Sequence, residues 1–172
     1  MIVWILAFLS TLPISEADRD EPEWQRQARL SLVAQAVDQA AVRHAGGEVR
    51  RSELACALLA VGWRESHWSA YVGQARCEQG TWNCDVDRRT GLPRARTYWQ
   101  LWPAACRPLE SVPPGSDAAV IVGAACAARY LAAGRRACGS WQGAFGYYAG
   151  RGCEWPGGER RARLMQRIVA AM

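Results

Sequence analysis

Arg51-Ser52-Glu53-Leu54-Ala55-Cys56-Ala57-Leu58-Leu59-Ala60-Val61-Gly62-Trp63-Arg64-Glu65-Ser66 is the stretch on which the fold turns. Leu54, Leu58, Val61 and Glu65 recur four, three and four residues apart, the spacing that sets side chains on one face of an α-helix. Ser52 is a good N-cap, so a helix is expected to open there and to carry Glu65 at its C-terminal end. A carboxylate on an apolar stripe loses water, and a helix C-terminus disfavours an anion, so both raise its expected proton affinity. A carboxyl group that keeps its proton near neutral pH is what general-acid attack on a glycosidic oxygen requires. A lone Glu at a helix end is ordinarily a solvated residue. What singles out Glu65 as the candidate catalytic group is its company: Ser66, then Tyr98-Trp99-Gln100, then Gly146-Tyr147-Tyr148-Ala149-Gly150.

Outward from this helix the chain reads as mostly α. Residues 22–45 form a long amphipathic pattern on Trp24, Ala28, Leu32 with Val33, Ala36 with Val37, and Ala40. Gly46-Gly47 stops it. Residues 67–96 are polar, aromatic and Gly-containing, which predicts a long loop, and long loops in compact domains are usually functional. A short helix is expected from Trp99 to Pro108, and Pro113-Pro114-Gly115 reads as a turn. Ser116 or Asp117 caps an Ala-rich helix running to about Ala133 and closing at Gly134. Further helices are expected over Trp141–Ala149, opening after Ser140, and over Glu159–Met172, with a loop at 151–158. There is no strand pattern beyond a small hairpin in the Cys77–Cys84 loop, and no repeat or heptad.

The first residues, Met1 to Leu12, are almost wholly apolar and too short to span a bilayer, which suits a secretory h-region. Ser15 and Ala17 are small residues at the spacing a signal peptidase reads. Residues 1–17 are therefore read as a signal peptide cleaved after Ala17, although no Arg precedes the apolar run. Residues 18–172 are enough for one domain and too few for two. The seven cysteines all lie beyond the signal. That usage points to an oxidising compartment, secreted or periplasmic, and to a disulfide framework. Proximity pairs Cys77 with Cys84, Cys138 with Cys153 and Cys106 with Cys126, leaving Cys56 free. No Cys-x-x-Cys is present and His44 and His67 lie outside any ligand spacing, so no metal and no cofactor is expected.

The formal charge is +5 at pH 7, and every one of the 21 basic residues is Arg. A basic secreted protein adheres to anionic surfaces such as cell wall. The arginines form no single stripe, so nucleic acid is not expected as a partner. Arg160-Arg161-Ala162-Arg163 reads as a solvated helix face.

The order of these segments resembles the soluble lytic transglycosylases of the lysozyme-like superfamily. The matching residues are Glu65-Ser66, Thr97-Tyr98-Trp99-Gln100 with Pro103, Ala127-Ala128-Arg129-Tyr130-Leu131, and Gly146-Tyr147-Tyr148-Ala149-Gly150. The resemblance covers residues 51–152. It implies a lysozyme-like helical lobe with a disulfide-pinned loop and a sugar-binding cleft. It also implies that Glu65 is the sole acid/base on the MurNAc–GlcNAc β-1,4 bond of peptidoglycan, closing a 1,6-anhydro ring. Ser66, Gln100 and Tyr147 are implied to line the cleft or to position the Glu. Tyr98, Trp99 and Tyr148 join them as candidate substrate-binding residues, with Tyr71, Trp82 and Trp102 as further stacking faces. Trp63 and Trp141, on helices, are assigned to the core. The chain departs from the family at Thr97, where Gly is usual, and at Tyr148, where Asn is usual.

Two other readings stand beside this one. A hydrolytic lysozyme of the inverting kind needs a second carboxylate about 6.5–9.5 Å from the acid, and Asp85 or Asp87 are the available donors. A glycan-binding or assembly protein would keep the fold and lack turnover. The expected partner is the peptidoglycan strand, with a secretion, conjugation or phage apparatus as the larger setting and a monomer as the working state.

Overall fold

In the computed structural model, positions Leu54 to Gly62 of the central helix are all buried. A helix that is apolar on every side belongs in the middle of a core. The structure describes all residues except 74, 76–85, 88 and 90–92, and every remaining side chain but that of Ala17. The expected Cys77–Cys84 bridge, Trp82 and Asp85 lie outside the described residues.

The described residues form seven α-helices: α1 (Ile2–Thr11), α2 (Glu23–His44), α3 (Arg51–Ser66), α4 (Ala70–Gly73), α5 (Asp117–Cys138), α6 (Trp141–Tyr148) and α7 (Gly157–Ala170). Short 3-10 turns occupy Glu16–Asp18 and Arg107–Glu110. Among the described residues β structure is limited to isolated bridges, including Arg96–Leu101. The central helix α3 packs against α2, α5 and α7, while α5 also packs on α2 and α6, and α6 packs on α7. On the far side α1 lies against α2, with Ile5 and Leu9 in the core. Helix α5 is the one described helix long and apolar enough to cross a membrane; here more than half of its apolar window is buried in the core.

The mostly helical reading holds, and its local errors have physical causes. Helix α3 opens at Arg51 rather than after a Ser52 cap, and the Arg51 guanidinium pairs with Asp38 of α2 at 2.7 Å. In α2 the inward face is Leu30, Val33, Ala36, Val37, Ala40 and Ala41, while Trp24 is 74% exposed and Ala28 is exposed. The expected stripe therefore holds from Val33 to Ala40 and fails at its N-terminal end, where Leu30 rather than Trp24 or Ala28 faces inward. Segment 99–108 is not a helix: it is a tight turn followed by the 3-10 turn.

Helix α5 runs through Gly134 to Cys138 and closes at Gly139, whose φ of 68° suits a glycine cap. Gly134 serves packing instead, because a Cβ there would stand 3.0 Å from the Ala144 backbone of α6. Ser116 and Ser140 cap α5 and α6 as expected, accepting from the N–H groups of Ala119 and Gly143.

Two of the expected disulfides are present, Cys106–Cys126 and Cys138–Cys153, and Cys56 is the free buried cysteine among the described residues. Burial pushes the Cys56 thiol up to about 12, with the Glu53 charge adding to the shift. That thiol is an inert core group.

Candidate active site

Helix α3 ends in left-handed residues, His67 at φ 49° and Trp68 at φ 56°. Trp68 folds back so that its ring lies where a Cβ on Gly62 would be, 2.1 Å from the nearest ring atom. The turn is held by a buried ion cluster. Arg29 of α2 donates from Nε to Glu21 at 2.8 Å and from another nitrogen to the Trp68 carbonyl. Asp18 accepts from Ser69 Oγ at 3.1 Å and from the Ala70 N–H. Burial opposes the charge on Arg29, yet the Glu21 hydrogen bond and nearby anions hold its pKa above the ordinary Arg range. This frame points the last turn of α3, and Glu65 with it, toward α7.

The Glu65 side chain is 24% exposed. Its Oε1 accepts from a terminal nitrogen of Arg161 on α7, and the Arg161 side chain is 14% exposed. The guanidinium lies over the Trp155 ring, 5.1 Å from the centroid, and its Nε is buried with no hydrogen-bond partner. The spacing of Leu54, Leu58, Val61 and Glu65 predicts a desolvated carboxylate on an apolar stripe. The stripe is buried as expected, but the carboxylate at its end faces a cation. Arg161 was also misread, as part of a solvated face. It shares the inward face of α7 with Gly158, Met165 and Ile168, three, four and three residues apart, while Arg160 and Arg163 are exposed. That spacing was the available signal.

Around this pair is a cleft of about 540 Å³. Its walls include Gln100, Trp102, Tyr130, Tyr147, Tyr148 and Trp155, with Arg151 at the edge. The structure thus brings together Glu65, Gln100, Tyr147 and Tyr148, four of the seven candidate catalytic and substrate-binding residues, and adds Trp102. Tyr147 and Trp102 are 41% and 56% exposed, so their ring faces are available for stacking. Trp155, Tyr130 and Arg151 were not anticipated in this role.

Ser66, Tyr98 and Trp99 lie beneath the cleft, not in its wall. Ser66 is fully buried; its hydroxyl donates to the Gly62 carbonyl at 2.8 Å and accepts from the Trp68 N–H at 3.2 Å. Tyr98 packs on Trp68, and burial first of all lifts its phenol to about 12, with Arg29 pulling the other way. Trp99 is wedged into the core, with its indole N–H donating to the Leu58 carbonyl of α3 at 3.1 Å. Tyr71 on α4 lies outside the described cleft wall. Trp63 stacks partly buried on His67, and Trp141 donates to Glu53 at 3.2 Å, in line with their assignment to packing.

The turn carrying Gln100 is closed by paired backbone bonds between Arg96 and Leu101, at 2.8 and 2.9 Å. Thr97 and Gln100 both take left-handed conformations, φ 67° and 48°. A β-branched residue there is strained. Thr97 is nevertheless 2% exposed, and its side chain occupies the space left by Gly123 on α5. Thr97 therefore does not intrude on the cleft; it locks the turn to α5. Gln100 donates from its amide to the Thr97 carbonyl at 3.1 Å.

Tyr148 closes the floor. Its hydroxyl donates to the Trp99 carbonyl at 2.5 Å, and burial first, then the Glu65 charge, pushes its phenol well above the usual range while Arg161 opposes. It is a neutral donor at any physiological pH.

Asp87 lines a second hollow of about 450 Å³, with Arg94, Arg96 and Pro103. Trp102 lines both. The Asp87 carboxylate accepts from the Arg89 N–H at 2.8 Å and faces Arg94 Nε at 3.9 Å. Among the described residues no group of three or more His, Cys, Asp or Glu is placed to hold a metal ion. Compared with protein-family models, with curated proteins and with solved structures, the chain has no match in any of the three.

Proposed function

We propose that this protein is a lysozyme-like peptidoglycan lytic transglycosylase, with Glu65 as its single acid/base. The observation that carries the reading is an aromatic cleft in which Glu65 is the one carboxylate among the described lining residues. The exposed rings of Trp102 and Tyr147 suit the faces of sugars, and the Gln100 carbonyl oxygen is a polar group at the same wall. Glu65 protonates the oxygen leaving from the MurNAc C1 carbon. The same carboxylate then takes the proton of the MurNAc C6 hydroxyl, whose oxygen bonds to C1 and closes the 1,6-anhydro ring. No water is consumed, so no second carboxylate is required.

The hydrolytic alternative draws no support from Asp87, which lines the neighbouring hollow, accepts from the Arg89 N–H and faces Arg94; its other donor, Asp85, lies outside the described residues. The two intramolecular disulfides are compatible with an extracellular or periplasmic protein. The proposed partner is the glycan strand of the cell wall, met by the monomer, alone or within a secretion, conjugation or phage apparatus.

The test is release of soluble muropeptides from purified peptidoglycan. Glu65→Gln is expected to lower the rate by about a hundredfold or more, as loss of a general acid does. Equal release by parent and variant would overturn the assignment of Glu65. Absence of release by both would favour a binding protein.

A further inference from the structure

Arg161 is placed as a ligand-binding group and not only as a partner for Glu65. Its side chain enters the cleft wall, it is stacked on Trp155, and its Nε is buried without a hydrogen-bond acceptor. A guanidinium carries five donors in a planar fork matched to a carboxylate. The Nε has no accessible surface, so a carboxylate entering the cleft meets the terminal nitrogens, the ones that face Glu65 in the free protein. Arg151, at the exposed edge of the same cleft, adds a second positive charge, so the described charged residues there sum to one net positive. A neutral glycan has no use for that excess; a glycan bearing a carboxylate has.

We infer that Arg161 is the binding residue for a carboxylate borne by the glycan ligand, and that Glu65 occupies its place in the free protein. Binding then exchanges one carboxylate for another on the guanidinium. The anionic substituent thereby selects the substrate through the guanidinium that Glu65 holds in the free protein. This inference rests on the glycan reading of the cleft and adds to it a specificity residue.

The test measures binding, without turnover, by titration calorimetry on the full chain. The anionic probe is the disaccharide GlcNAc–MurNAc, which has a free lactyl carboxylate but lacks the MurNAc–GlcNAc bond. The neutral control is the GlcNAc dimer. The parent is expected to prefer the anionic disaccharide by about tenfold, the order of one charge-assisted contact. Arg161→Gln is expected to bring the ratio to about one. Glu65→Gln keeps the guanidinium and removes its internal competitor, so the preference is expected to rise above that of the parent. This second variant decides the matter even if Arg161→Gln fails to fold. A disaccharide carrying a stem peptide, in which the lactyl group is an amide, separates the two sources of charge; retained preference assigns the peptide carboxylate, lost preference the lactyl one. Equal affinity for both disaccharides in the parent, or a preference that survives Arg161→Gln, would overturn the inference and leave the glycan reading standing. Binding of neither sugar by any variant would overturn both.

Discussion

Two carboxylate–guanidinium pairs flank the C-terminal end of α3, and they are built differently. On one side Arg29, Asp18 and Glu21 are 5–7% exposed at their side chains, and the Arg29 nitrogens meet acceptors on Glu21 and the Trp68 carbonyl. On the other, Glu65 and Arg161 are 24% and 14% exposed, they border a cleft, and the Arg161 Nε is unsatisfied. The same chemistry serves as a lock in the first case and as an exchangeable contact in the second. Burial and hydrogen-bond completeness decide which.

The largest expected effect breaks the lock. Arg29→Met leaves Asp18 and Glu21 buried without their cation, and removing one partner of a buried pair costs about 3–5 kcal/mol. Arg161→Gln is expected to cost less than Arg29→Met, since its one carboxylate partner is 24% exposed and partly screened by water. Urea unfolding of both variants checks this; equal losses would dissolve the contrast.

Next in size is the Cys138–Cys153 bridge, which closes 15 residues and holds the segment that brings Trp155 over Arg161. Replacing both cysteines with Ala is expected to cost about 3 kcal/mol by loop entropy. The same change should disturb the Glu65 side more than the Arg29 side. Amide exchange at α7 against the turn 67–70 would read that difference.

A smaller effect concerns the platform between the two. Gly123→Ala puts a Cβ 2.6 Å from Thr97 Oγ1, with an expected cost of about 1–3 kcal/mol. Thr97→Gly relieves a left-handed β-branched residue and removes the obstacle. In that background Gly123→Ala is expected to cost less than about 1 kcal/mol, and a double-mutant cycle measures the coupling. Additive effects would mean that Thr97 is not seated against α5.

These contrasts also show what the sequence could disclose. The spacing of Leu54, Leu58, Val61 and Glu65 is local, and it placed Glu65 correctly at the end of a buried helix. Ser116 and Ser140 act within one turn, and they cap as read. The Gln100 turn was missed because its shape depends on left-handed residues, one of them Thr97, and on the distant partners Leu58 and Gly123. Gly134 looked like a stop because a sequence does not show which helix will need to approach it. Arg161 was hidden inside an Arg-rich run, where charge obscured its spacing with Met165 and Ile168. Asp18, Glu21 and Arg29 carried no motif; their cluster exists only once α2 and the end of α3 meet.

The smallest expected effect is a pH dependence. Burial first, then nearby arginines, lowers the pKa of His44 and His67 below 6.5 in the folded chain; the arginines are Arg43, Arg129 and Arg136 for His44 and Arg64 for His67. The unfolded chain then takes up these protons first. Their stability contribution is full above about pH 6.5 and is lost as pH falls through the lower folded values. The urea midpoint should decline over that window, less steeply for the His44→Gln/His67→Gln variant. An identical slope in both would assign the decline to other groups.

The central claim, a single carboxylate working without water, is tested most directly by digesting peptidoglycan in heavy-oxygen water and weighing the new glycan ends. The parent is expected to yield anhydro ends, one water lighter than reducing ends and free of solvent oxygen, with none from Glu65→Gln. Reducing ends carrying one heavy oxygen would contradict the account and point to a hydrolase. Anhydro ends produced equally by Glu65→Gln would contradict it as well.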